Sequence, residues 1–260
     1  MVTIARSLEE STRELESDWH PMLIARAWPK EEIQADFDKW EVDKHIAELA
    51  LGPGVVFVNY HLNVLDGLPE AYKASGYCMA YYTARDLNGM FAWLRSPDLA
   101  AAVEDGSQWF GRFNSVDYET FTGNVCPVRA VVNSRGETPP PDAPLLVERW
   151  EVSDADADEF DRWLEETHLP SVGGHEGVLR ARTFTAVREG VPIPYYYSPG
   201  NRMLVVELAD TEKFREILLS DHMMARLEDS MRWDRRLPYV KRDVYSYVAH
   251  TYSPHGGAYD

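Results

Sequence analysis

The 260 residues suffice for one large domain or two of ordinary size, and roughly 70% of the extended-chain surface can be buried at that length without staples. With 45% apolar and 27% charged residues the chain is not of disordered composition, and a net charge of −17 argues against nucleic acid and anionic membranes as partners. Cys78 and Cys126 are the only cysteines, which excludes a disulfide framework or cysteine-based zinc cluster; no metal site is expected. No signal-peptide pattern or 18-residue apolar run is present, so a cytoplasmic protein is expected.

Residues 1–18 read as an N-terminal extension. A first unit, 19–132, begins with a strand at Met22–Trp28 and a helix at Glu31–Leu49. An alternating strand follows at Val55–Leu62, then strand Cys78–Ala84 and a helical stretch Leu87–Phe113. A closing strand is expected near Tyr118–Gly123. The stretch 133–144, with three consecutive prolines at Pro139–Pro141, reads as an extended linker. A second unit, 145–252, repeats the order: strand Leu145–Val152, a helix over about Ala155–His168 stopped by Pro170, strands Val178–Val187 and Met203–Ala209, helical Thr211–Arg235, and strand Lys241–His250. Residues 253–260 form a tail.

The two units are copies. Phe37, Asp38, Trp40 and His45 recur as Phe160, Asp161, Trp163 and His168 at an offset of 123, which also sets Gly54-Val55 on Gly177-Val178 and Arg26 on Arg149. One residue more sets Asp86 on Asp210 and Trp109 on Trp233. So long a period means a duplicated domain, not a solenoid. Each copy has the βαββαβ order of the ferredoxin-like plan, an α+β fold whose helices cover one face of the sheet. The other face must be covered, and the second copy is the obvious cover, making an intrachain barrel.

A helix ending in Trp-x-x-x-x-His-[Leu/Ile], followed by Gly-Val at the next strand, resembles the dimeric α/β-barrel superfamily, and most closely its EthD-like branch. Trp163, Glu166, His168, Leu169, Pro170, Gly177, Val178, Arg180 and Arg182 stand where that pattern asks. The first copy departs from it, with Ala47 for the proline and Phe57 and Asn59 for the arginines. The resemblance implies a small-molecule enzyme, since the superfamily includes cyclases, isomerases, lyases, cofactor-free monooxygenases and haem enzymes. It also implies that a helix-end histidine works with a polar residue on the following strand, here His168 with Arg182.

On the residues themselves two readings of His168 stay open: an acid or base with a pKa near operating pH, or an imidazole favoured by the helix C-terminus. Recurrence as His45 supports the structural reading. Arg180 and Arg182 share a strand face and suit an oxyanion or carboxylate, or else ion pairs with the many acids. Positions that differ between copies point to a single active half: His61 against Phe184, His222 against Asp98, His175 against Gly52. Met223 and Trp163 are candidate pocket walls, and Tyr60 is a core or pocket residue. Tyr196 lies in the aromatic loop Val191–Arg202, a candidate lid.

These residues predict a cofactor-independent lyase, isomerase or cyclase acting on a hydrophobic, oxygenated small molecule, aromatic, polyketide or terpenoid-like. His168 would move a proton and Arg182 would hold the oxyanion. The alternatives are a haem enzyme with a histidine axial ligand and a non-catalytic binding or stress protein. Fusion supplies the second half internally, so a monomer or a homodimer is expected.

Overall fold

The structure is a computed structural model that describes residues 2–3, 17–64, 66–72, 76–114, 122–136, 138–191 and 199–255. Strand β1 (Val2–Thr3) is a short edge. The first half then runs β2 (Met22–Ala27), α1 (Gln34–Trp40), α2 (Ile46–Leu49), β3 (Val55–Asn63), β4 (Cys78–Ala84), α3 (Leu87–Leu94), α4 (Pro97–Gly106), β5 (Thr122–Cys126) and β6 (Val128–Val132). The second runs β7 (Leu145–Glu151), α5 (Ala157–Trp163), α6 (Leu169–Gly173), β8 (Val178–Thr185), β9 (Arg202–Leu208), α7 (Phe214–Leu218), α8 (Asp221–Met231) and β10 (Tyr239–Tyr252).

The ten strands among the described residues form one antiparallel sheet in the order β1-β6-β8-β9-β7-β10-β3-β4-β2-β5. Pro127 alone separates β5 from β6, so the ribbon returns on itself: the β5–β6 segment pairs with β2 of its own half and with β8 of the other. Likewise the 14-residue β10 pairs with its own β7 and crosses to β3. Each half thus lends its last strand to the other, and a nearly closed barrel results. Counting β5 and β6 as one and leaving out β1, the ring has eight strands, a number whose interior is just filled by side chains or holds one small ligand.

Alternation along the strands sorts the residues into three compartments. Outward positions pack under the helices of each half, around Phe37, Trp93 and Tyr60 in the first and around Trp150, Phe160 and Trp233 in the second. Inward positions fill the lumen with Met22, Ile24, Met79, Tyr81, Val147, Phe184, Val205 and Tyr245. The sheet itself separates lumen from helix layers.

Several elements differ from the sequence expectation. The long helical stretches each break in two, because Ser96 and Ser220 cap new helices by accepting from the N–H of Leu99 and Met223, and Pro97 favours a helix start. The first half's closing strand lies later than 118–123, in the β-branched run ending at Val132; residues 115–121 lie outside the described ones. Pro170 does not stop its helix. A widened π-type turn, Leu164–His168, precedes it, so the proline stands in the first turn of α6, where a missing N–H costs little.

Gly54 connects the first-half helix to β3 with φ +74°, and a Cβ there would come within 2.4 Å of the Gly89 backbone. Only glycine permits both the left-handed conformation and so close an approach of α3.

Candidate functional site

The Trp-x-x-x-x-His motif has a geometric reason. Five residues along an α-helix turn about 140° past a full circle, which would separate the rings. In each half a π-type turn, Glu41–His45 or Leu164–His168, widens the helix at this point. The rings then stack: Trp40 on His45 at 4.1 Å and Trp163 on His168 at 4.7 Å between centroids. In both halves the indole Nε1 donates to an aspartate at 2.7 Å, Asp105 or Asp229.

Below the second pair lies a charged cluster. Glu148 Oε1 is 3.2 Å from His168 Nε2, and its Oε2 accepts from Ser230 and from Arg242 Nε at 2.9 and 3.0 Å. Burial works to raise the Glu148 pKa, but His168, Arg242 and Ser230 outweigh it and hold it at about 2. The first half has Ala25 at the equivalent position, and there burial pulls His45 down to about 3. A cleft of about 370 Å³ opens beside Arg242, between Glu70, Met231 and Asp234.

His168 and Arg182 are not brought together. His168 stands in the helix layer with Glu148 and Trp150, whereas Arg180 and Arg182 share the lumen face of β8 with Phe184. Trp163, Tyr60 and Met223 also belong to the helix layers, with the Tyr60 hydroxyl donating to Asp38 at 2.6 Å. His222 is on the surface, bonded to the Ser171 carbonyl and beside His175. Tyr196 lies outside the described residues.

What the lumen does assemble is Arg180, Arg182 and His61, with Asn59 in the place of a family arginine, together with Tyr81 and Glu207, which the sequence reading did not single out. At one end of the barrel Phe57, Tyr81, Thr83, Arg182, Glu207 and Tyr252 line a cavity of about 140 Å³. Linker residues Thr138–Pro141 cover it, and Asn59 Nδ2 donates both to the Pro141 carbonyl at 2.9 Å and to Tyr81 Oη at 2.8 Å. Accepting from Asn59 leaves the Tyr81 hydrogen to point elsewhere. Burial raises the Tyr81 pKa to about 12, so the phenol stays protonated.

The two arginines are unequal. Arg180 is saturated, with Nε and Nη2 on Glu207 at 2.5 and 2.6 Å and Nη1 on Asp18 at 2.7 Å. Arg182, 3% exposed, reaches the same Glu207 through Nη2 at 3.3 Å only, and its buried Nε has no acceptor. Burial and the neighbouring Arg180 draw its pKa to about 10. His61, fully buried, stacks on Tyr81 at 5.5 Å one layer deeper, and burial brings it to about 3 against the pull of the Ala143 carbonyl.

The three buried imidazoles do not fit a haem. An axial ligand needs a slot wide enough for the macrocycle before its free nitrogen, but His45, His61 and His168 are all buried and line neither of the cavities above. The carboxylates nearest His45 do not read as a metal site, because Asp105 is already committed to Trp40 and to Lys44 Nζ at 2.5 Å.

This architecture is that of the dimeric α/β-barrel proteins, with both ferredoxin-like halves in one chain. Among solved structures, an anthrone oxidase-like protein matches at TM-score 0.62 and 11% identity, over 94% of this chain and 98% of that one. A candidate monooxygenase from Fusobacterium nucleatum subsp. nucleatum ATCC 25586 matches at 0.56 and 10%, over 91% and 96%. An EthD family protein from Bacillus halodurans C-125 matches at 0.33 and 20%, over 39% and 95%. No family model and no curated protein matches the chain. No helix among the described residues is long and apolar enough to cross a membrane.

Proposed function

We propose that the chain is a cofactor-independent enzyme whose substrate, a hydrophobic oxygenated small molecule, binds in the barrel lumen and reacts through an oxyanion held by Arg182 and Tyr81. The observation that carries this reading is the under-bonded Arg182 guanidinium on the wall of a cavity that also presents the Tyr81 hydroxyl. A guanidinium and a phenol lining one cavity can stabilise an enolate or phenolate as charge develops, and burial strengthens both. His61 is the lumen imidazole in this scheme. It is neutral when the cavity lacks an anion, and negative charge beside it raises its affinity for a proton.

Lyase, isomerase and cyclase reactions that begin by deprotonation next to a carbonyl or of a phenol pass through such an anion. So does oxygen insertion into an activated phenol, the chemistry suggested by the names of the anthrone oxidase-like and monooxygenase-like proteins of the same fold. His168 in this reading acts by packing, through Trp163 and Glu148, and not on substrate.

The test is a product screen by mass spectrometry with oxygenated aromatic and terpenoid compounds. For a compound that is turned over, Arg182→Gln and Tyr81→Phe should each lower kcat/KM by about 10²–10³, while folded His168→Gln stays near wild type. Equal turnover by wild type and Arg182→Gln would end the assignment. A large loss in His168→Gln alone would return the chemistry to the helix layer.

A further inference from the structure

The dimensions and charge of the lumen cavity narrow its ligand further than the oxyanion scheme requires. A volume of about 140 Å³ is close to the roughly 150 Å³ cavity that takes up one benzene molecule in an engineered protein core. Its walls suit a flat ring: Phe57, Tyr81 and Tyr252 all line it, and the Phe57 ring lies 5.9 Å from Tyr81 and 5.0 Å from Tyr252. A second fused ring would have to extend towards Thr138–Pro141, which line the cavity and are held by the Asn59 bond to Pro141.

The polar groups specify the substituent. Arg180 takes both oxygens of Glu207 and one of Asp18. Arg182 shares only an oxygen of Glu207 already bonded to Arg180 at 2.6 Å, and its own bond to it is 3.3 Å long. Its Nε, buried and without an acceptor, is half of the fork that grips a carboxylate in two parallel bonds. The Tyr81 hydroxyl, turned away from Asn59, adds a third donor on the same wall.

We infer that the lumen cavity binds a monocyclic aromatic carboxylate, its ring between Phe57, Tyr81 and Tyr252 and its carboxylate on Arg182. The inference rests on the lumen being the substrate site and adds the ligand's size and charge. Benzoate is the probe, with benzyl alcohol as its neutral counterpart and 1-naphthoate as its two-ring counterpart, titrated calorimetrically into the full-length protein at pH 7.5.

Benzoate should bind, and benzyl alcohol and 1-naphthoate should each bind at least about tenfold more weakly, the loss of one charged hydrogen bond being worth that much. Arg182→Gln should weaken benzoate by about 10–100-fold and leave benzyl alcohol unchanged. Should that variant unfold, Thr83→Leu, which fills the cavity from the opposite strand, should abolish benzoate binding with the arginines intact. Equal affinity for benzoate and benzyl alcohol, equal affinity for benzoate and 1-naphthoate, or undiminished benzoate binding in Thr83→Leu would each overturn the inference.

The two proposals fail separately. Arg182-dependent turnover without benzoate binding removes the ligand class and keeps the enzyme. Arg182-dependent benzoate binding with turnover indifferent to Arg182 does the reverse.

Discussion

Under its helices, the first half stacks Trp40 on His45 and bonds Trp40 to Asp105; the second repeats this with Trp163, His168 and Asp229. In the lumen the same two halves part company. Register makes the equivalence firm: Phe57 pairs with Thr83, Asn59 with Tyr81 and His61 with Met79, where the other half pairs Arg180 with Glu207, Arg182 with Val205 and Phe184 with Met203. Of these six lumen positions only the methionine is kept. Both halves must satisfy the same helix-on-sheet packing, so that layer resists change. The lumen is one space shared by both, and the single ligand proposed for it would need one arginine wall and one aromatic wall, not two of each.

Four experiments would break or sharpen that contrast. The largest effect is expected at Glu148, which has no charged counterpart, since Ala25 occupies its place. Glu148→Ala should cost about 3–5 kcal/mol, because Arg242 is left buried without its inner carboxylate. Urea unfolding measures it, and a loss under about 1 kcal/mol would mean that Ser230 and Asp234 suffice.

Glu41 comes next. Burial, helped by Asp38, raises this carboxyl to about 8, and its Oε2 has no partner. The folded state therefore holds a proton that the unfolded state releases near pH 4.5, so this contribution is complete below that value and is lost as pH rises through 8. Glu41→Gln should flatten this decline and be the more stable protein at pH 9 by on the order of 3 kcal/mol. Parallel pH profiles of wild type and variant would refute a buried, proton-holding Glu41.

His61 has the opposite sign. Its folded value near 3 lies below the ordinary 6.5, so the unfolded chain takes up the proton first and stability falls as pH drops from 6.5 towards 3. His61→Phe installs the residue of the other half and should gain about 2 kcal/mol at pH 4 relative to its effect at pH 7.5. Thermal melts at the two pH values decide it; an equal effect at both would show that His61 is already protonated or solvated. The smallest effect tests the shared position: Met79→Leu and Met203→Leu should cost the same in either half, each below about 1.5 kcal/mol. A clear inequality in chemical denaturation would show that even the conserved lumen layer has diverged.

Much of this was legible in the chain. The Phe-Asp-Trp…His repeat, the βαββαβ order and the differences between copies are local or periodic features. They led to the duplicated barrel and drew attention to Arg180, Arg182 and His61. Pairing His168 with Arg182 is what the sequence could not test. Period-two alternation says which residues share a strand face, but not that the helix-end imidazole and the strand guanidinium would lie on opposite sides of one sheet. Tyr81 and Glu207 were hidden for a related reason: in an ordinary apolar strand nothing distinguishes a lumen tyrosine from a core one. The mismatch of Thr83 with Glu207 and Tyr81 with Val205 at the 124-residue offset was the available signal.

The sequence by itself determined the repeat, the order of its elements and which strand residues share a face, because these follow from nearest-neighbour geometry and hydrophobic period. Only the tertiary structure decided that the last strand of each half crosses to the other and that the proline linker lies over the barrel mouth. Those outcomes depend on closure between segments more than a hundred residues apart. Closure makes the lumen, and the lumen leaves Arg182 buried and short of an acceptor.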